Sequence, residues 1–171
     1  MIQYCCKKCD QLVLMPSTLS PLKNQSPVAE SQHRLKMLEL LTLNIDFPIK
    51  IDNWEFTQSR PNYTYQTIQY LEKQYPEYSI SMVIGADQLI KFQKWKKLNE
   101  ILSSVQILGF NRAYCEYTPL SGINLTWIED FNVNISSTAI REKIAKGKPI
   151  GNELTQSVQD YIEENNLYGY L

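Results

Sequence analysis

Three small hydroxyl side chains stand together at Ser136, Ser137 and Thr138, in the stretch "NISSTAIREKI" of residues 134–144, and Arg141 follows one helical turn later. Two chemistries fit that grouping. Ser and Thr accept hydrogen bonds from the amides that a first helical turn leaves unpaired, which stabilises the helix by about 1 kcal/mol. The same amides, with the positive end of the helix dipole, can instead hold an anion, and a guanidinium would add a forked cationic donor. The stretch alone does not choose between capping and anion binding.

Other reactive residue types are sparse. The cysteines are Cys5, Cys6, Cys9 and Cys115, and Cys6 and Cys9 have C-x-x-C spacing. A structural zinc site takes four ligands, but the chain has no second C-x-x-C and a single histidine, His33. The cysteines therefore read as small hydrophobes on a helix face, and no metal site is expected on the protein. His33, in "SQHRL", reads as structural. Tyr63, Tyr65 and Tyr70 read as packing on a helix face.

The bulk properties set the frame for these residues. The chain has 171 residues, 43% of them hydrophobic and 20% charged, with a net charge of −1. That length fits one domain with a full core. Near-neutrality removes the broad basic field that nucleic acid needs, whereas a nucleotide-sized anion needs only a few placed groups. No apolar run approaches the ~18 residues of a membrane span, and "MIQYCCKKCDQL" lacks the apolar segment of a signal peptide. A soluble cytoplasmic protein is expected, with neither a nucleic-acid nor a membrane partner.

Strands and helices must alternate to position the candidate groups. A helix end over 2–9 precedes a short strand, "QLVLMP" (11–16), and a loop rich in Ser and Pro. "SQHRLKMLELLTL" (31–43) carries Leu35, Leu38 and Leu41 at helical spacing, with Ser31 as its cap. "PIKIDNWEF" (48–56) alternates as a strand, and "NYTYQTIQYLEKQY" (62–75) is a helix begun by Asn62 or Thr64. "YSISMVIGAD" (78–87) and "VQILGFNR" (105–112) are apolar strands flanking the helical "LIKFQKW" and "LNEILSS"; "NLTWIED" (124–130) is a short strand. Two helices close the chain, the first ending at Gly147 and the second spanning 153–167. This order predicts an α/β fold with a parallel sheet. Such sheets bind ligands beyond the C-terminal ends of their strands, which here carry "PSTLSPLK", "GAD" and "NR".

In that order, "LVLMPSTLSPLK", "HRLKMLEL", "PNYTYQTIQYLEKQYP", "IGADQL" with Trp95 eight residues after Asp87, "FNR", "ISSTAIREKI" and "VQDYIEENNLY" resemble the bacterial nicotinate-nucleotide adenylyltransferases. The resemblance runs from about residue 10 to Leu167. It implies a single nucleotidyltransferase-like domain over 1–171, with a Rossmann-like doubly wound parallel sheet. It also implies transfer of an adenylyl group from ATP to nicotinate mononucleotide, releasing pyrophosphate, with Mg²⁺ accompanying ATP. By the same resemblance, Lys23, Ser136, Ser137, Thr138 and Arg141 hold ATP phosphates. Gly85 lets the backbone approach the ligand and Asp87 holds ribose hydroxyls. Thr64 offers backbone groups to the nicotinate carboxylate, and Trp95 stacks on the pyridine ring. Each has a structural counterpart: Thr64 and Asp87 as helix caps, Trp95 as core, Lys23 as a solvated loop charge.

The family's opening strand and its G-x-F-D-P-x-H-x-G-H motif do not occur in these residues. The resemblance thus implies a doubly wound sheet of order 3-2-1-4-5 missing its first, central strand, and it assigns no catalytic residue. Two functions stand side by side: the adenylyltransferase, and a nucleotide-binding remnant without catalysis.

Overall fold

The computed structural model describes residues 1–19, 21–22, 27–59, 61–111, 123–128, 131 and 135–170. These divide into two compact units, one of 1–62 with 135–171 and one of 63–134.

In the first unit, α1 (Ile2–Cys5) leads into β1 (Leu12–Leu14), α2 (Ser31–Thr42), β2 (Ile49–Ile51) and α3 (Trp54–Thr57), and the unit is completed by α7 (Ser137–Ala145) and α8 (Gln156–Glu164). β1 and β2 pair in parallel, Leu12 opposite Ile49 and Leu14 opposite Ile51. The apolar core of the unit is Ile140 and Ile144 of α7 against Val158 and Ile162 of α8, with Met37, Leu40 and Tyr168 around them. Ile140 and Ile144, like Val158 and Ile162, are four residues apart, so each pair shares one helix face. Gly147 adopts φ 60° beyond the end of α7, and Lys148 N–H returns to the Lys143 carbonyl at 2.9 Å. That is the left-handed glycine stop expected from the sequence.

The strand expected over 48–56 ends at Ile51. Asp52 is buried and its Oδ1 accepts the Trp54 N–H at 2.9 Å, an Asx turn that diverts the chain into α3. Capping of α2 also differs from expectation: Glu30, not Ser31, is the N-cap, and it makes no side-chain cap bond.

The second unit runs through α4 (Thr64–Gln74), β3 (Ile80–Gly85), α5 (Ala86–Leu89), α6 (Leu98–Ser104), β4 (Val105–Phe110) and β5 (Leu125–Ile128). Its sheet is parallel, in the order β3-β4-β5. Ile68, Ile84, Leu89, Phe92, Ile101, Val105 and Ile107 form one buried cluster. "LIKFQKW" and "LNEILSS" do not join into one helix. A 3-10 turn over Phe92–Lys94 is followed by Lys97 in the left-handed region, and α6 starts only at Leu98. Gly109 has a packing reason: a Cβ there would lie 2.6 Å from the Trp127 ring on the neighbouring strand.

Described residues thus carry an α/β fold with wholly parallel pairing. Its strands form two separate sheets, of order β1-β2 in the first unit and β3-β4-β5 in the second.

Candidate functional site

The candidate residues fall into two groups, one in each unit. In the first unit they gather at the start of α7. Ser136 is the N-cap, in extended backbone, and its Oγ accepts the Ala139 N–H at 3.0 Å. The capping half of the sequence reading is therefore realised by Ser136. Ser137 and Thr138 occupy the exposed first turn. Arg141 Nη2 donates to Thr138 Oγ1 at 3.2 Å, which draws the guanidinium back toward the helix start. The interior of α7 is anchored by Ile140 and Ile144, so the hydroxyls and the arginine stand on a fixed frame. Lys23 lies outside the described residues.

Arg141 also faces the C-terminal turn. Burial raises the pKa of the Tyr168 phenol, against the opposing pull of the Arg141 and Arg34 charges. Arg34, half-buried on α2, donates to the Ser17 carbonyl at 2.6 Å, and desolvation lowers its pKa.

Sequence reasoning missed the clamp on the loop after β1. Asn62, read as a helix start, is instead buried. Its Oδ1 accepts from the Thr18 hydroxyl and from the amides of Thr18, at 3.3 Å, and Leu19, at 3.5 Å. Its Nδ2 donates to the Glu55 carbonyl at 3.0 Å, and its own N–H to the Leu19 carbonyl at 3.2 Å. One side chain therefore holds the strand-end loop against α3. The only sequence signal is an asparagine beside a proline, which reads as an ordinary turn.

In the second unit, β3 ends at Gly85, paired with Phe110 at the end of β4. Gly85 has φ −84° and ψ 155°, ordinary extended backbone, so what glycine offers here is an absent side chain rather than a special torsion. Asp87 lies in the first turn of α5, and no side-chain cap bond closes that turn. Its Oδ2 accepts from Gln88 Nε2 at 3.2 Å. Gly85, not Asp87, occupies the N-cap position of α5.

Thr64 is the first residue of α4, whose N-cap is Tyr63 and whose start carries neither a side-chain cap bond nor an acid. The capping alternative for Thr64 is absent. The first amides of such a helix have no intrahelical acceptor. Trp95 is half-buried, packed on the unit's core and set edge-on to Phe92, with centroids 4.9 Å apart and planes at 78°. Its neighbours return toward α4: Lys96 Nζ lies 4.6 Å from the centroid of the Tyr63 ring and Lys97 Nζ 4.7 Å from that of Tyr65. The "KWKK" segment and the α4 start are thus brought together, although 31 positions separate Thr64 from Trp95.

His33 has the structural role expected of it, with Nδ1 2.9 Å from the Tyr161 hydroxyl. Cys5 is buried and Cys9 Sγ donates to the Cys5 carbonyl at 3.2 Å. Among the described residues no helix is long and apolar enough to cross a membrane.

Residues 1–143 match the cytidylyltransferase-like family model. The Bacillus subtilis (strain 168) nicotinate-nucleotide adenylyltransferase is 31% identical over 93% of this chain and 82% of its own length. Among solved structures, the Plasmodium falciparum nicotinic acid mononucleotide adenylyltransferase complexed with NaAD superposes with a TM-score of 0.76, at 16% identity, over 99% of this chain and 91% of that one. The same Plasmodium enzyme complexed with APC gives 0.72 at 17% identity, over 95% and 84%. At those identities the structures speak for the fold.

Proposed function

We infer the reaction from a membership that the sequence match makes plain: the chain belongs to the cytidylyltransferase-like family and, within it, to the nicotinate-nucleotide adenylyltransferases. Its function is adenylyl transfer from ATP to nicotinate mononucleotide in NAD biosynthesis. A phosphate oxygen of the mononucleotide attacks the α-phosphorus of ATP, the bond to the β,γ-phosphates breaks, and pyrophosphate leaves with nicotinate adenine dinucleotide formed. No protein nucleophile takes part, so the protein contributes positioning and charge stabilisation.

The observation that supports this assignment of roles is the contrast between two helix starts. At α7, Ser137, Thr138 and Arg141 present hydroxyls and a guanidinium beside the capping Ser136, a donor set suited to the phosphates of ATP. At α4, the start around Thr64 has no side-chain cap and Trp95 follows on the adjoining segment, a donor and ring pair suited to a pyridine carboxylate. Gly85 and Asp87, at the C-terminal end of β3, are assigned to the nucleotide, Asp87 as acceptor for ribose hydroxyls. Lys23 is assigned to phosphate with them.

Mg²⁺ is proposed to enter with ATP. The described residues contain no group of three or more His, Cys, Asp or Glu placed to hold an ion. Magnesium suits such a site because it keeps its waters and binds largely through substrate phosphates. Bound there, it would neutralise phosphate charge.

The test is product formation. The chain is incubated with ATP, Mg²⁺ and nicotinate mononucleotide, and pyrophosphate and the dinucleotide are followed by chromatography with each substrate omitted in turn. Formation of both products in equal amounts is expected. Binding of both nucleotides without either product would favour the non-catalytic nucleotide-binding reading.

A further inference from the structure

Lys96 carries a charge that its own surroundings do not use. It is exposed, and among the described residues no carboxylate pairs with it. Its neighbour Lys97 has such a partner, Glu100 at 2.9 Å. Lys96 is nevertheless held in place, its Nζ over the Tyr63 ring. Tyr63 is the N-cap of α4, and a tyrosine side chain is short enough to keep that ammonium within about one Debye length, ~8–10 Å, of the helix start. A cation there opposes the positive end of the helix dipole, where acids are favoured. The first turn of α4 has no acid to offset it. Local conflicts of this kind are expected where function requires them. The preceding residue is Trp95, which packs inward on the core and so fixes the point from which Lys96 departs.

We propose that Lys96 is a specificity-determining residue: its ammonium, seated on Tyr63, favours a pyridine nucleotide bearing a carboxylate over the corresponding amide. This rests on the reading of Trp95 and Thr64 as the pyridine end of the site, and adds to it a side-chain charge. A uniform contribution from backbone amides would survive any change at position 96. A contribution from Lys96 is removed with its charge, is screened by salt, and acts only on a ligand that is itself charged at that end.

Equilibrium affinities for nicotinate mononucleotide and nicotinamide mononucleotide, read by tryptophan fluorescence at low and high salt, test this in the intact chain. Lys96→Gln should weaken binding of the acid about three- to fivefold at low salt, the range of an exposed charge pair, and leave the amide within about twofold. Lys96→Arg should restore the preference, high salt should shrink the difference, and Lys97→Gln should leave the acid-to-amide ratio unchanged. An unchanged ratio in Lys96→Gln, or equal losses for both ligands, overturns the inference while leaving the parent reading intact. A wild-type chain that binds neither ligand, or both equally, overturns the parent reading and this inference with it.

Discussion

The starts of α7 and α4 solve the same problem in opposite ways. Both leave amides without intrahelical partners. At α7, Ser136 supplies an internal acceptor, and Arg141 is tied back to Thr138. At α4 no side chain caps the turn, and two lysines stand over the rings of Tyr63 and Tyr65. The first helix start has one of its amides capped by its own side chain and carries additional donors. The second has neither a side-chain cap nor an acid in its first turn, and in the proposed reading the carboxylate of the pyridine nucleotide completes it. The difference teaches that donors at a helix start have to be judged by what already satisfies them, not by their number.

Substitutions can break that contrast. The largest effect is expected for Arg141→Ala. Each charge-assisted hydrogen bond to phosphate contributes about 1.5–3 kcal/mol, so ATP affinity should fall more than tenfold, while the melting temperature changes little because an arginine in the N-terminal half of a helix gains nothing from the helix dipole. Isothermal titration beside a thermal melt checks both. A lowered melting temperature with unchanged ATP affinity would return this stretch to a purely structural role.

Trp95→Ala should come next. Loss of ring stacking costs about 1–3 kcal/mol, so affinity for nicotinate mononucleotide should fall roughly five- to a hundredfold with ATP binding nearly unchanged. Because Trp95 packs against Phe92, this variant should also melt lower, and the fair comparison is the ratio of the two affinities. Equal losses for both nucleotides would mark Trp95 as core alone.

Smaller effects sharpen the comparison through stability. Ser136→Ala removes a cap that is made and should destabilise by about 1 kcal/mol. Thr64→Ala removes no cap and should stay within about 0.5 kcal/mol. Denaturant unfolding of the two variants side by side measures this directly. A loss at Thr64 equal to that at Ser136 would show that α4 is capped after all.

Much of this was legible in the sequence where local patterns agree with tertiary structure. The apolar runs of β3 and β4 and the leucine spacing of α2 each state their element plainly. Ser136 before α7 and Gly147 after it state its ends. The strand after Pro48 was overread, because "IKIDNWEF" keeps alternating while the Asp52 carboxylate captures the Trp54 amide and turns the chain. A side chain bonding to its own backbone two residues on leaves the hydrophobic pattern untouched. Asn62 was overlooked for a related reason: its four side-chain hydrogen bonds to Thr18, Leu19 and Glu55 depend on partners seven to 44 residues away. Lys96 was invisible as a candidate, since an exposed lysine between a tryptophan and another lysine has no signature until its Tyr63 platform is known. Lys23, legible by resemblance, lies outside the described residues.

The central claim is that this chain transfers an adenylyl group to a pyridine mononucleotide and selects the acid form. It is tested most directly by kcat/KM for nicotinate mononucleotide and for nicotinamide mononucleotide, measured with saturating ATP and Mg²⁺. A preference for the acid of at least about tenfold is predicted, since hydrogen bonds to a carboxylate are roughly twice as strong as those to a neutral amide. Equal kcat/KM for the two substrates would contradict the account.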